Sequence, residues 1–499
     1  MIRIISAIKN YYLLLGLIVI SLPYRFYHIT YSILDAHNFR QTQTATIALN
    51  FYKNGINLFQ SELDIFGLGV KRYLTLEFPL YEATVAIFYR TLFFSEIWGR
   101  MLSVVAGYIG AWYLYKLVKL LTEKRNVAFF SSFFFLFAPL NMFYQRTFMI
   151  EPMVVAFLLA GLYYACCWIN FVKRKDWFFA VIFLALGFIQ KGIYGPFWFL
   201  PIGAYFIRRH SLKSLLSLQF IALIIFPLIT LYFWQSHVNY INTVNGHGYF
   251  TTVSSGQLEW NFGTIADRLT WSMWQVRLWQ ILNGILLKPG FILFLVGLVS
   301  LIKMKSSSFF YAWIFSQLIY FAAFFRIQSH NYYQMVLIPA FSVFMSAGLV
   351  KIMDVIKTTG RSKYFISNIL LCIFCLIFVY KAWVNTLPSY YIDWAWHKRL
   401  LLVRETISSF NAGLLVTPGY DWNSVYTYMP GKKMLLVVPE EIDDKSLLKW
   451  KKLGYDFLLI HEPEKYDVYF REKGLNSSIK LLEKHKQLLS IEEFRIYLL

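Results

Sequence analysis

Apolar residues in this chain come in long blocks rather than in alternation, and most blocks have the length of a membrane span. They fall at 11–31, 99–121, 127–145, 152–171, 177–190, 192–207, 214–234, 285–303, 308–325, 334–353 and 364–384, with the fifth and sixth short. Each predicts an apolar helix, since about 20 apolar residues in helical form cross a hydrocarbon layer of about 30 Å. Two polar stretches interrupt the series, at 32–98 and 235–284. The first predicts an amphipathic helix from Asp35 to Gly55, with Phe39, Ile47, Leu49, Phe51 and Tyr52 supplying apolar surface. A second helix, over 77–94, lies in the interface, because Glu77, Pro79, Glu82 and Arg90 are awkward at bilayer depth. A third interfacial helix is expected over 265–281. There Leu269, Met273, Trp274 and Leu278 alternate with Arg268, Gln275 and Arg277, and Trp271 and Trp279 suit the headgroup level. His237 and His247 read as ordinary loop residues.

After Val384 the pattern changes. Short strands are predicted at 414–417, 434–438, 457–460 and 494–498, turns at Pro418-Gly419 and Pro430-Gly431, and helices near 440–453 and 475–487. The chain therefore divides into a membrane domain, 1–384, and a small α/β domain, 385–499.

Composition agrees with the blocks: 58% of the 499 residues are hydrophobic, 20% aromatic and 15% charged. The fold class is a polytopic α-helical membrane protein with eleven spans and juxtamembrane helices. Arg3 and Lys9 precede a first block with no small-residue cleavage site, so that block is read as a retained helix. The net charge of +21 sits largely in short loops between blocks, which explains it by orientation and argues against a nucleic-acid partner. With a cytoplasmic N-terminus, the basic loops at 123–125, 173–175, 208–213, 303–305 and 351–363 all face inward. The polar stretches and the C-terminal domain then face outward. The four cysteines lie in apolar segments, Cys166-Cys167 and Cys372 with Cys375, and read as buried small residues.

That orientation has a chemical consequence. It brings Asp35, His37, Arg40, Gln41, Glu77, Arg146, Glu151, Lys191, Arg326, His330, Tyr332 and Tyr333 to one face. Asp35 admits two readings, a cap on the following helix and a site carboxylate, and the two are compatible. Arg146 and Glu151 are placed to pair with each other. Charges of both signs at one interface suggest a cavity for an anionic, partly lipidic ligand.

The order Asp35, Glu77-Phe78-Pro79-Leu80-Tyr81, Arg146 with Glu151-Pro152, and Gln190-Lys191-Gly192 resembles polyprenyl-phosphate-sugar glycosyltransferases of the GT-C fold. The nearest likeness is glycosyltransferase family 39, the protein O-mannosyltransferase and lipid A aminoarabinose transferase group. Some bacterial members carry a His-x-x-Arg-Gln run like His37 to Gln41. The likeness covers about 1–215 well and the later spans only by hydropathy. The chain departs from it at Ala36, where a second acid is common, at Glu151, where Asp is usual, and at Glu77-Phe78-Pro79.

The resemblance implies transfer of one sugar from a polyprenyl-phosphate donor to a lipid, glycan or protein acceptor on the outer face of a bacterial inner membrane, with inversion. Asp35 is then the general base, with a helix N-terminus and Arg40 favouring its ionised form. Glu151 is a second acid, which positions Arg146, holds the acceptor or stands in as base. Lys191 leads the phosphate contacts, with Arg40, Arg146 and Arg326 as alternatives. His37, Gln41, Glu77, His330, Tyr332 and Tyr333 bind substrate. No metal is required, although Asp35, His37 and Glu151 are the set that would ligate one. The competing functions are a lipid flippase without chemistry and a ligase using a diphosphate-linked donor.

Overall fold

The computed structural model describes residues 2–64, 73–357, 361–416, 423–472, 481–482 and 484–499. The first apolar block is α1 (Ile2–Phe26). The polar stretch after it holds α2 (Asn38–Asn54) and α3 (Leu80–Thr91), and the second block is α4 (Ile97–Thr122). The third block divides into α5 (Arg125–Phe137) and α6 (Pro139–Tyr144). Pro139 has no N–H for the helical ladder, and Ala138 before it takes an extended conformation. Next come α7 (Glu151–Phe171), α8 (Arg174–Gln190), α9 (Phe199–Arg209) and α10 (Leu218–Val244). The second polar stretch forms α11 (Ser255–Phe262), α12 (Ile265–Leu269) and α13 (Trp271–Ile281). The last apolar blocks are α14 (Leu287–Ser300), α15 (Ser307–Ala323), α16 (Ile338–Lys357) and α17 (Arg361–Thr386).

Every predicted apolar block is helical. Among the described residues, 6 helices are long and apolar enough to cross a membrane, and α5, α8, α9 and α15 are shorter. Some are shortened where the ladder breaks, at Pro139, at Lys191 after α8 and at Gly195-Pro196 before α9. At 12 residues, α3 spans only about 18 Å, less than the hydrocarbon thickness.

Some expectations need correction. Helix α10 runs on to Val244, so His237 stands on a helix with its Nε2 at 2.6 Å from the Phe59 carbonyl. The helix expected over 265–281 breaks at Thr270, and α13 then joins α14 through a π turn at Leu282–Leu286. That rotation buries Arg277, which was placed on the polar face. Its Nε donates to the Phe325 carbonyl at 2.8 Å.

The helix ends sort by charge. Helix α4 begins near Arg100 and ends at the basic 123–125 loop, and α7 begins at Glu151 and ends at the basic 173–175 loop. Ser306 Oγ donates to the Leu121 carbonyl at 2.7 Å, which brings the 303–305 loop to the same end. The 26 residues of α4 separate the two ends by about 39 Å. Inside the bundle, α14 and α16 touch backbone to backbone: a Cβ on Gly297 would lie 1.9 Å from the Phe344 carbonyl oxygen, and one on Gly348 1.9 Å from that of Leu293.

The C-terminal part comprises α18 (Trp394–Thr406), β1 (Ala412–Val416), α19 (Val425–Tyr428), β2 (Lys433–Val437), α20 (Asp444–Lys452), β3 (Phe457–His461), α21 (Pro463–Glu472), β4 (Gln487–Ile491) and β5 (Phe494–Leu498). The sheet order is β2-β1-β3-β5-β4, with β1, β2 and β3 parallel and β5 antiparallel to both of its neighbours. The four predicted strands are present, and β4 is an addition. The helix expected over 475–487 lies largely outside the described residues, and Gln487 opens β4. The Pro418-Gly419 turn also lies outside them.

One face of the sheet (Leu414, Val437, Leu458, Tyr497) packs on α20. The other (Leu415, Leu436, Leu459, Ile496) packs on α18 and also on Phe51, Ala83 and Ala86 of α2 and α3. Polar contacts fix this docking: Lys433 Nζ to Glu62 Oε1 at 3.0 Å, Met434 N to the Asp64 carbonyl at 2.8 Å, and Tyr428 OH to Glu96 Oε1 at 3.1 Å. Helix α2 is therefore enclosed rather than amphipathic. Its buried Thr42, Thr44 and Thr46 satisfy their hydroxyls on carbonyls one turn back.

Candidate active site

The chain leaves α1, turns at His28 and enters α2 through His37, whose backbone is left-handed (φ 56°, ψ 38°). Asp35 does not cap α2. Its Oδ1 accepts from Gln41 Nε2 at 2.5 Å, and its Oδ2 faces Arg146 Nη1 at 3.2 Å and Arg100 Nη2 at 3.4 Å. All three charged groups are buried. Arg100 also donates to the carbonyls of His28, Ile29, Tyr31 and Ser32, and so ties down the turn after α1. Arg146 donates to the His28 carbonyl at 3.1 Å and lies 4.8 Å from the centre of the Tyr390 ring. Gln41 uses its remaining oxygen to accept from Phe148 N at 3.1 Å, so α2 is held to the corner before α7.

One residue away on α2, Arg40 serves a second group of charges. Its Nη2 donates to Glu77 Oε1 at 2.5 Å, and the same oxygen accepts from Lys191 Nζ at 3.0 Å. Lys191 Nζ also donates to Glu151 Oε1 at 2.9 Å. Two cations and two carboxylates thus form one chain, Arg40–Glu77–Lys191–Glu151. Lys191 stands where α8 stops, with φ −153° and ψ 78°, and its ammonium lies 4.7 Å from the Tyr333 ring centre and 5.8 Å from that of Tyr332. Side-chain exposure decides which member meets a ligand first: Glu151 0%, Lys191 4%, Arg40 8%, Glu77 23%. Burial by itself would raise the pKa of Glu77, but the Arg40 and Lys191 charges outweigh it and bring the carboxyl down to about 2. Behind this chain, burial pushes Glu82 of α3 up to about 8.

A third group is uncharged. His37 Nε2 lies 3.2 Å from Asn331 Oδ1, which also accepts from the Tyr144 hydroxyl. The His37 ring is 5.5 Å from that of His330 and 5.0 Å from that of Tyr332. Burial lowers the pKa of both histidines, that of His330 to about 4. Tyr144 and Asn331 form one wall of a cavity of about 290 Å³, which Phe143, Trp279, Gln280 and Asn385 also line. Ser389, on the same cavity, accepts from Ala36 N at 3.0 Å, which places Asp35 just behind its wall.

The structure thus joins Asp35 with Gln41 and Arg146, joins Arg40 with Glu77, Lys191 and Glu151, and sets His37 beside His330, Tyr332 and, through Lys191, Tyr333. Several pairings differ from the expected ones. Glu151 holds Lys191 rather than Arg146, and Arg40 serves Glu77 rather than Asp35. Arg326 stays outside the group, paired with the exposed Glu259. Among the described residues no three His, Cys, Asp or Glu side chains gather as a metal-holding set, and Asp35, His37 and Glu151 are each engaged with other partners. Arg100, Tyr144 and Asn331 were not anticipated. The signal for Arg100 was present, as a lone guanidinium in the first turn of an apolar helix at the charged end of the bundle.

The profile of the family described as dolichyl-phosphate-mannose-protein mannosyltransferase matches residues 78–234, a segment that contains Arg146, Glu151 and Lys191. No curated protein sequence matches the chain. Among solved structures, ArnT from Cupriavidus metallidurans bound to undecaprenyl phosphate is similar with a TM-score of 0.67 at 11% identity, over 98% of each chain. The apo state of the same protein gives 0.67 and 11%, over 97% of each chain. At that identity the likeness establishes the fold, which is the GT-C arrangement of membrane helices followed by a small C-terminal sheet domain.

Proposed function

We propose that this protein is a membrane glycosyltransferase that moves one sugar from a polyprenyl-phosphate donor to a hydroxyl of a lipid, glycan or protein acceptor. The reading rests above all on the Arg40–Glu77–Lys191–Glu151 chain, whose members stand at helix ends with three of the four side chains buried. The charged groups stand at helix ends rather than halfway along the spans. That location suits a headgroup held at the membrane surface better than the midplane site of an alternating-access transporter.

In the proposed reaction the phosphate of the donor sits on Lys191 and Arg40. As the bond from the anomeric carbon to the phosphate oxygen breaks, its electron pair goes to phosphate, and a phosphodiester becomes a phosphomonoester with more negative charge. Cations fixed there favour the transition state over the ground state. Glu151 holds Lys191 in position. The acceptor enters by the 290 Å³ cavity, which has room for about one sugar ring and presents aromatic and amide side chains. Asp35, behind the cavity wall, takes the acceptor proton. Its longest contact, 3.4 Å to Arg100, is the one an incoming hydroxyl replaces. With the basic loops cytoplasmic, site and C-terminal domain face outward, at a bacterial inner membrane.

The test is release of polyprenyl phosphate from polyprenyl-phosphate sugars by purified protein in lipid nanodiscs. Asp35→Asn should lose about 10²–10⁴-fold in turnover, with Asp35→Glu retaining part of it. Wild-type turnover in Asp35→Asn would remove Asp35 as the base.

A further inference from the structure

Glu77 stands in the place of a ligand. One of its oxygens, Oε1, bridges Arg40 Nη2 at 2.5 Å and Lys191 Nζ at 3.0 Å. A single anionic oxygen shared by a guanidinium and an ammonium is the contact that a phosphate oxygen makes when two cations hold it. The other carboxylate of the chain, Glu151, is fully buried, and among the described residues its ion pair is with Lys191. Glu77 is the most exposed of the four side chains, and it precedes α3 on non-helical backbone, so it can leave without unwinding a helix. The chain as it stands is neutral, two charges of each sign. An incoming phosphate therefore meets no uncompensated cation charge, and it competes with a carboxylate for the oxygen position that Arg40 and Lys191 share.

We propose that the Glu77 carboxylate is an internal substitute for the donor phosphate: it occupies the Arg40–Lys191 cation pair in the resting enzyme and swings out as the polyprenyl phosphate arrives. This rests on the reading above that Arg40 and Lys191 form the phosphate site, and it adds a mechanism for filling and emptying that site. The exchange keeps Arg40 from standing without a carboxylate, and leaves Lys191 more than Glu151 to pair with, in a buried site when no donor is present. It also opposes rebinding of the product, because Glu77 returns to the same cations once the polyprenyl phosphate has departed. Affinity is lowered by the fraction of time that the site is free of Glu77. Dissociation of the bound lipid is governed by its own contacts, so the substitution acts on association.

The experiment measures binding of radiolabelled undecaprenyl phosphate to wild-type protein, Glu77→Gln, Glu77→Ala and Glu77→Asp in nanodiscs, with the dissociation rate followed by chase. Glu259→Gln, which removes an acid at the surface, serves as the charge control. The expected result is binding about tenfold tighter in Glu77→Gln and Glu77→Ala, corresponding to a site about nine-tenths occupied by Glu77. Their dissociation rates should be unchanged, Glu77→Asp should fall between them and wild type, and Glu259→Gln should match wild type. Equal or weaker binding in both Glu77→Gln and Glu77→Ala overturns the proposal. So does tightening that Glu259→Gln reproduces, or that comes wholly from slower dissociation, since either is a general charge effect. If the wild type binds no undecaprenyl phosphate and neither variant does, the donor reading itself fails and takes this inference with it.

Discussion

Replacing Lys191 by Gln separates the stability of the site from its chemistry. Lys191 Nζ lies 2.9 Å from Glu151 Oε1, with Glu151 fully buried and Lys191 4% exposed. At that separation the gross attraction is about 6 kcal/mol for an effective dielectric of about 20, and desolvation of both groups offsets much of it. Removing Lys191 leaves Glu151 buried beside a neutral amide, which costs about 3–5 kcal/mol. At roughly 1 °C per kcal/mol for a chain of this size the melting temperature should fall by about 3–5 °C. The double variant Lys191→Gln/Glu151→Gln has no unpaired buried charge at that pair and should recover most of the loss. The assay is thermal unfolding in nanodiscs together with donor turnover in the same preparations. The double variant should be nearly as stable as wild type and still inactive, because the cation at the phosphate is gone. A Lys191→Gln variant of wild-type stability would refute the buried pair, and a double variant with wild-type turnover would refute the role of the ammonium.

Other consequences are equally specific. Glu82, raised to about 8, is protonated in the folded protein at neutral pH, whereas the unfolded chain loses that proton near 4.5. Stability should therefore decline as pH rises from about 4.5 to about 8, by up to about 1.4 kcal/mol per pH unit. Glu82→Gln should remove that slope in melting curves taken across the range. Gly297→Ala would push a methyl group onto the Phe344 carbonyl at a separation of 1.9 Å, and it should destabilise by at least about 1–3 kcal/mol, read as a lower melting temperature. Arg326→Ala, which breaks only the exposed pair with Glu259, should shift stability by no more than about 1 kcal/mol and leave donor binding intact.

The apolar blocks and the sorting of basic loops were legible in the sequence because hydropathy and loop charge are properties of segments, and the bilayer acts on segments. The gathering of Asp35, Lys191 and Glu151 at one end followed from the same count of crossings. Which acid meets which base was not legible. Arg40 and Gln41 are neighbours on α2 yet point to different clusters, and a rotation of about 100° per residue decides that. Asp35 looked like a cap because helix α2 begins just after it, but the left-handed His37 turns the chain away and delivers the carboxylate to Arg100 and Arg146 instead. The break at Thr270 and the π turn at Leu282–Leu286 leave no clear mark in periodicity, so the burial of Arg277 was hidden. Docking of the C-terminal sheet on α2 and α3 was likewise hidden, since an apolar sheet face does not name its partner. Strand β4 escaped because its side chains are exposed or only half-buried, without the alternation that marks a half-buried strand.

Whether Arg40 and Lys191 together receive a lipid phosphate is visible in a cryo-EM map of the protein with undecaprenyl phosphate in nanodiscs. The expected map has phosphate density within hydrogen-bonding reach of both the Lys191 ammonium and the Arg40 guanidinium, with the Glu77 side chain turned away and the prenyl chain running into the bilayer. Phosphate density at the Arg326–Glu259 pair or at the basic-loop end of the bundle, with Glu77 still bridging Arg40 and Lys191, would contradict it.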